Sequence, residues 1–295
     1  MDLIEQLSTG LADRIAQAGG FTVGIQTDKR QTSGLLWRPD VVISSDQTLP
    51  DDADALHVVH AGQTRKATLA GRDPSTNVAV LKLDAPIEST LPPAASPLRV
   101  GNLTVLVGSD SAGHPTARLA MVHALGGAWQ SMAGGRIDAL IRLDTRLGVD
   151  EGGPALSLTG ELVGMSTSGP RRKTIVIPTA TLTRVVEPLL TEGRIARGWL
   201  GIGLQPVRIP DSLHQTTERE TGLMVVGMAS GGPAEAAGIL PGDIVLDIDA
   251  TPVSRLRSLF AELGADRIGQ TVGLRLLRAG AIQTVGVTVA ARPAQ

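Results

Sequence analysis

The sequence predicts a mainly β chain in two modules, a pair of barrels or a sandwich followed by a compact α+β unit. Three observations carry this expectation. From about residue 21 to residue 177, short apolar runs rich in Val, Ile and Leu alternate with turn chemistry. Gly and Pro number 35 and 18 in 295 residues, the supply that many tight turns require. After Gly193 the pattern resets to strands interleaved with short helices.

Residues 1–20 read as an amphipathic helix, with Leu3, Leu7, Leu11 and Ile15 on one face and Gly19-Gly20 at its end. Such a stripe ordinarily covers the core of its own domain, and an oligomerisation handle is the other use open to it. Strands follow at 21–25, 34–37, 41–44, 56–60, 78–83, 104–107, 139–143 and 162–166. Between them sit turn segments such as Arg38-Pro39-Asp40, Asp73-Pro74-Ser75 and Gly152-Gly153-Pro154. A helix over 179–193 carries Leu182, Val185, Val186, Leu189 and Leu190, and Pro188 is expected to kink or shorten it.

In the second module, strands are expected at 199–206, 222–228 and 244–248, and helices at 233–237 and 254–263. A hairpin over 272–289 turns at Arg278-Ala279-Gly280, and a loop at 208–221 is inserted near the start. The expected boundaries are 1–20 for the helix, 21–196 for the first domain and 197–295 for the second.

Lys plus Arg number 27 against 29 Asp plus Glu, a net charge of −2. That balance supplies no clustered basic excess, so nucleic acid is not an expected partner. The chain has no Cys, which excludes a disulfide framework, a thiolate zinc site and a Cys nucleophile. Only five residues are aromatic (Phe21, Trp37, Trp129, Trp199 and Phe260), so the core is built from Val, Leu, Ile and Ala. No apolar run is long enough to span a membrane. The first residues lack the pattern of a secretory signal, so the expected location is cytoplasmic, or periplasmic for a chain trimmed of its signal.

The residues alone offer little catalytic chemistry. His57 and His60 fall on opposite faces of a predicted strand and cannot share a metal. Gly164-Met165-Ser166-Thr167-Ser168-Gly169 echoes a nucleophile elbow, but Pro170-Arg171-Arg172-Lys173 follows where a helix would be needed, so a strand end with a basic loop is expected.

Four blocks, however, resemble the HtrA (DegP-type) family of trypsin-like serine proteases. The segment Val41-Val42-Ile43-Ser44-Ser45-Asp46-Gln47-Thr48-Leu49 is similar to the family's catalytic His block. Gly71-Arg72-Asp73-Pro74-Ser75-Thr76-Asn77-Val78-Ala79-Val80-Leu81-Lys82-Leu83 is similar to its Asp block. Asp150-Glu151-Gly152-Gly153-Pro154 resembles its nucleophile block, and Arg197-Gly198-Trp199-Leu200-Gly201-Ile202 the start of its PDZ domain. The resemblance implies a trypsin-like double β-barrel followed by a PDZ domain, and covers nearly the whole chain.

At the three positions where the family holds His, Asp and Ser, this chain has Gln47, Asn77 and Glu151, with Asp46 the other candidate for the first. Gln47 supplies no general base, Asn77 no charge to orient an imidazolium, and Glu151 no hydroxyl. Val149 stands where the family has an oxyanion-loop Gly, and 144–151 is one residue short. From these departures the chain is expected not to be an enzyme. It is expected to be a pseudoprotease working as a binding scaffold, chaperone-like factor or regulator. Two alternatives stay open. One is an HtrA-type serine endopeptidase with residual or unrecognised activity. The other is a cation-binding protein in which Asp46, Asn77, Asp150 and Glu151 line a converted cleft.

No resident metal or cofactor is expected. The expected partners are protein C-termini or extended peptides, taken up by the PDZ groove. By resemblance that groove is formed by Trp199, Leu200, Gly201, Ile202 and Leu204, facing Leu256 and Phe260 of the helix at 254–263; Leu259 and Leu263 are divided between pocket and core. The resemblance also implies a homo-trimer, alone or mixed with an active HtrA-type relative.

Overall fold

The computed structural model describes residues 2–27, 31–51, 56–131 and 133–293. Met1 of the expected N-terminal helix and the last two residues of the expected second domain lie outside them. The chain divides into two compact units, Met1–Ile195 and Ala196–Gln295.

The first unit holds two six-stranded antiparallel barrels. In one, β1 (Thr22–Gln26), β2 (Gln31–Arg38), β3 (Val41–Ser45), β4 (Leu56–His60), β5 (Gln63–Asp73) and β6 (Val78–Leu83) close in the order β1-β2-β3-β6-β5-β4. The other is built from β7 (Leu103–Ser109), β8 (Pro115–Gly126), a small pair β9 (Trp129–Gln130) and β10 (Arg136–Ile137), then β11 (Leu140–Leu143), β12 (Pro154–Ser157), β13 (Leu162–Ser168) and β14 (Thr174–Pro178). Its closed order is β11-β14-β13-β12-β7-β8, with β9 and β10 pairing apart from it. Inward Val, Leu and Ile side chains fill both barrels, as a chain poor in aromatic residues must arrange. The long strands β5 and β8 carry no clean alternation to mark them in the sequence, because much of each is solvent-facing.

Helix α1 (Leu3–Gly19) divides its apolar stripe: Ala18 is buried, and Leu11 and Ile15 pack against the barrel core. Leu3, Ile4 and Leu7 stay exposed. Helix α2 (Thr179–Glu192) buries Leu182, Val185, Val186 and Leu189 and ends at Gly193, whose φ of +72° closes it. Pro188 does not shorten the helix, which runs on to Glu192. The carbonyl deprived of its donor belongs to Arg184, an exposed residue, so water can serve it.

Under the end of α2, an added Cβ at Gly71 of β5 would lie 2.3 Å from the Leu189 carbonyl oxygen and 2.8 Å from that of Gly193. Both obstacles are backbone. Gly71→Ala is therefore expected to destabilise this unit by about 2 kcal/mol. An unchanged urea midpoint for the unit would remove the close-approach account.

The second unit is an α+β module. β15 (Gly198–Trp199), β16 (Ile202–Arg208), α3 (His214–Thr217), β17 (Thr221–Met228), α4 (Pro233–Ala236), β18 (Ile244–Ile248), β19 (Thr251–Pro252), α5 (Leu256–Ala261), β20 (Thr271–Arg278), β21 (Ala281–Thr288) and β22 (Ala290–Ala291) follow in order. The main sheet runs β16-β17-β18-β20-β21, with β19 on β18, and β15 pairs with β22. The continuous strand expected at 199–206 is interrupted, because Gly201 takes a φ of +76° and turns the chain between β15 and β16.

Candidate functional site

The turn after β3 carries Asp46 and Gln47 in different directions. Asp46 is buried, and its Oδ1 accepts a 2.6 Å hydrogen bond from Arg72 Nε. Burial pushes the Asp46 carboxyl above its usual value, although the Arg72 guanidinium acts against that rise. Gln47 is exposed and faces the other barrel, so of the two candidates it is the one whose side chain meets Glu151.

Asn77 is delivered by the β5–β6 turn. The Asp73 carboxylate accepts from Ser75 N, Ser75 Oγ and Thr76 Oγ1, which folds that turn tightly. Asn77 itself stands at φ +58°, the left-handed region that Asn tolerates better than most residues. Its Oδ1 accepts from Gln47 N at 2.9 Å, and its Nδ2 donates to Thr167 Oγ1 at 2.7 Å.

Glu151 enters from the β11–β12 loop, which many bonds pin. Asp150 is 3 % exposed, and Arg118 grips its carboxylate through Nε at 3.2 Å and Nη2 at 3.1 Å. Ser33 Oγ donates to Val149 O at 2.6 Å, and Thr32 Oγ1 to Glu151 O at 2.6 Å. Val149 is exposed and has no left-handed φ. The Glu151 N–H, which in a trypsin-like site faces the developing oxyanion, donates to Gly148 O at 3.2 Å.

The Glu151 carboxylate is the centre of the cluster. Oε1 accepts from Gln47 Nε2 at 2.5 Å and Ser168 N at 3.0 Å, and hydroxyl contacts from Thr167 and Ser45 lie at 3.2 and 3.3 Å. Oε2 accepts from Ser168 Oγ at 2.7 Å. Gln47, Asn77 and Glu151 are thus brought together, with three hydroxyls that residue-by-residue reading passed over. The signal for two of them was the run Thr167-Ser168, read only as a strand end; Ser45 comes from the end of β3.

The cation-binding alternative is corrected by this geometry. Asp46 and Asp150 each face an arginine and not the cleft, so the four side chains do not converge. Among the described residues no group of three or more His, Asp or Glu side chains is placed to hold a metal ion. His60 Nε2 lies 3.1 Å from Gly19 O, away from the cluster.

In the second unit, β16 is the terminal strand of its sheet, so one edge is unpaired in the sheet. The Trp199-Leu200-Gly201-Ile202 segment precedes that edge, and α5 packs against β16. Ile202, Leu204 and Leu256 are half-buried beside the core, and Phe260 is 41 % exposed. Leu200, Leu259 and Leu263 are buried core residues, so Leu200 contributes backbone, not side chain, to any groove.

The sequence matches the model of a trypsin-like peptidase domain over residues 32–165 and that of a PDZ domain over 198–289. A protein of Brucella suis biovar 1 named probable periplasmic serine endoprotease DegP-like is 30 % identical over 274 residues, covering 89 % of this chain and 53 % of that protein. A Rhizobium meliloti protein of the same name is 30 % identical, covering 90 % of this chain and 54 % of its own length. The chain therefore spans about half the length of these curated relatives. Among solved structures, the HtrA-type protease AlgW with decapeptide superposes with a TM-score of 0.75 at 21 % identity, covering 97 % of this chain and 99 % of that one. The serine endoprotease from Yersinia pestis gives 0.75 at 24 %, covering 96 % and 98 %. These likenesses show the fold.

Two expectations are corrected here. Relatives at 30 % identity are named serine endoproteases, which overturns the expectation that the chain is not an enzyme. That expectation weighed Gln47, Asn77, Glu151 and the altered loop at Val149, and left out the hydroxyls that folding places against Glu151. The same relatives are named periplasmic, which overturns the cytoplasmic expectation. No helix among the described residues is long and apolar enough to cross a membrane.

Proposed function

We propose, for a chain that belongs to the HtrA-type family of trypsin-like peptidases carrying a PDZ domain, that it captures protein C-termini or extended peptides in the groove between β16 and α5. The observation that carries this is the unpaired edge of β16, which begins just after the left-handed Gly201 and is faced by α5 with Leu256 and Phe260. An extended peptide completes such an edge with main-chain hydrogen bonds, and its terminal carboxylate is held by backbone N–H groups. Titration calorimetry with a peptide library, each member with a free or an amidated C-terminus, tests it. Free-carboxylate peptides are expected to bind and their amides to lose most affinity; equal affinities would overturn the assignment. Phe260→Ser removes an exposed groove side chain and is expected to weaken binding about tenfold without changing stability.

A second reading, endopeptidase activity in the barrel unit, is favoured by the names of the relatives and by one contact. Ser168 Oγ lies 2.7 Å from Glu151 Oε2, so a hydroxyl stands against a carboxylate able to take its proton. Cleavage of a fluorogenic unfolded protein decides it. Turnover lost in both Ser168→Ala and Glu151→Gln supports the pair. Turnover unchanged in both, or absent from the parent protein, removes it.

Assembly as a homo-trimer, alone or mixed with an active relative, belongs to the same proposal. The exposed Leu3, Ile4 and Leu7 of α1 support it, and light scattering of a Leu3→Ser/Leu7→Ser variant tests it. A mass unchanged from the parent's would exclude this face as the contact.

A further inference from the structure

The second half of α1, the connection from β6 to β7 and the β12–β13 turn enclose a cavity of about 430 Å³ within the first unit. It shares no lining residue with the cluster around Glu151. Phe21, Leu91, Pro92 and Leu156 give it apolar walls, and Arg14 and Glu161 line it as well. Backbone bonds hold its frame in place. On one side Thr22 Oγ1 donates to Ala18 O at 2.7 Å, and His60 Nε2 lies 3.1 Å from Gly19 O, which fixes the end of α1. On the other, Leu162 N donates to Pro93 O at 2.8 Å and Ala95 N to Leu162 O at 2.9 Å, while Ser157 N closes the turn on Glu161 O at 2.9 Å. A preformed cavity with apolar walls and a few polar groups has the character of a small-molecule site.

The two charges are not spent on each other. Arg14 lies along the turn, its Cδ 3.2 Å from where a Cβ on Gly160 would stand, and its Nη1 donates to Gln17 Oε1 over a long 3.4 Å. Glu161 Oε2 accepts from Thr159 Oγ1 at 3.0 Å and from Ser157 Oγ at 3.3 Å, both neutral hydroxyls. Among the described residues neither Arg14 nor Glu161 meets an opposite charge. A guanidinium and a carboxylate on one apolar cavity complement a molecule that carries an ammonium and a carboxylate on an apolar body. A fatty acid would set its carboxylate against Glu161, and an apolar amine would set its charge against Arg14.

We infer that this cavity binds free apolar amino acids or dipeptides, with the carboxylate on Arg14, the ammonium on Glu161 and the side chain against Phe21 and Leu156. The site is independent of the groove in the second unit.

Titration calorimetry on the full chain tests it with leucine, leucyl-leucine, N-acetyl-leucine, which has no ammonium, and leucinamide, which has no carboxylate. Leucine or leucyl-leucine is expected to bind, the tighter of the two naming the natural size, and each blocked compound to bind about tenfold more weakly. Arg14→Gln is expected to abolish the preference for leucine over leucinamide, and Glu161→Gln the preference over N-acetyl-leucine. Arg14 is exposed, and a glutamine oxygen at 161 still accepts from the Ser157 and Thr159 hydroxyls, so both variants should fold. Gly201→Asp is expected to leave leucine binding as it is in the parent, and leucine to slow amide exchange at 157–162. No heat from leucine or leucyl-leucine up to about 10 mM would overturn the inference. So would preferences unchanged in both charge variants, or leucine binding lost in Gly201→Asp.

Discussion

Gly201→Asp is expected to lower the affinity for a free-carboxylate peptide by at least about 100-fold, close to abolition in a calorimetric assay. Two effects add. The position has a φ of +76°, which costs a side-chain-bearing residue about 1 kcal/mol or more. In the proposed binding mode the new carboxylate also faces the one that the peptide brings. Gly201→Ala separates these effects, since it carries the strain without the charge. An added Cβ there would lie 3.3 Å from Gly232 Cα, Pro233 Cδ and the Trp199 ring, tight but not blocked. The alanine variant is therefore expected to fold and to lose about tenfold in affinity. If the aspartate variant, with an unchanged circular dichroism spectrum, bound as tightly as the parent, the groove would have to be placed elsewhere.

Arg278→Met is expected to cost the second unit about 3 kcal/mol at neutral pH. Asp243 is 2 % exposed, and Arg278 meets it as a fork, Nε to Oδ1 at 2.7 Å and Nη2 to Oδ2 at 2.6 Å. Removing the fork leaves a buried carboxylate with only the Leu240 N–H at 2.9 Å. Burial by itself would raise the carboxyl's pKa; the Arg278 bonds and charge, with the Leu240 N–H, outweigh it and hold the group below its ordinary 3.8. A carboxyl lowered by folding contributes stability above its unfolded value, lost as pH falls through the folded one. The gap between parent and variant should thus be full at pH 7 and close below pH 4. Amide exchange in β18 and β20 of the full chain measures it, with openings about 100-fold more frequent in the variant. A gap independent of pH would show that lost packing, not the ion pair, is responsible.

Parts of this molecule are written locally. The four-residue spacing of Leu3, Leu7, Leu11 and Ile15 specifies α1, and the stripe ending at Gly193 specifies α2, because a helix is a short-range object whose period shows in the chain. Strand β3 is equally legible as a Val/Ile run bounded by turns. Strand β8 is not, since most of its residues face solvent and leave no alternation. The run at 199–206 reads as one strand, because nothing local announces that Gly201 will turn left-handed.

The candidate site divides the same way. Gln47, Asn77 and Glu151 can be picked out one by one, but their partners cannot: Ser168 N and the Ser45 and Thr167 hydroxyls come from distant segments. Asp46 and Asp150 look from the sequence like cleft ligands, and only the fold turns each of them to an arginine.

By itself, then, the sequence determined the family, the mainly β two-module architecture and the identities of the side chains at the positions where the resemblance places the family's catalytic residues. Periodicity and turn chemistry act over a few residues and survive in one dimension. The tertiary structure alone decided which groups those side chains touch. The longest of those contacts join Ser45 and Gln47 to residues more than a hundred positions away, and no local pattern records their register.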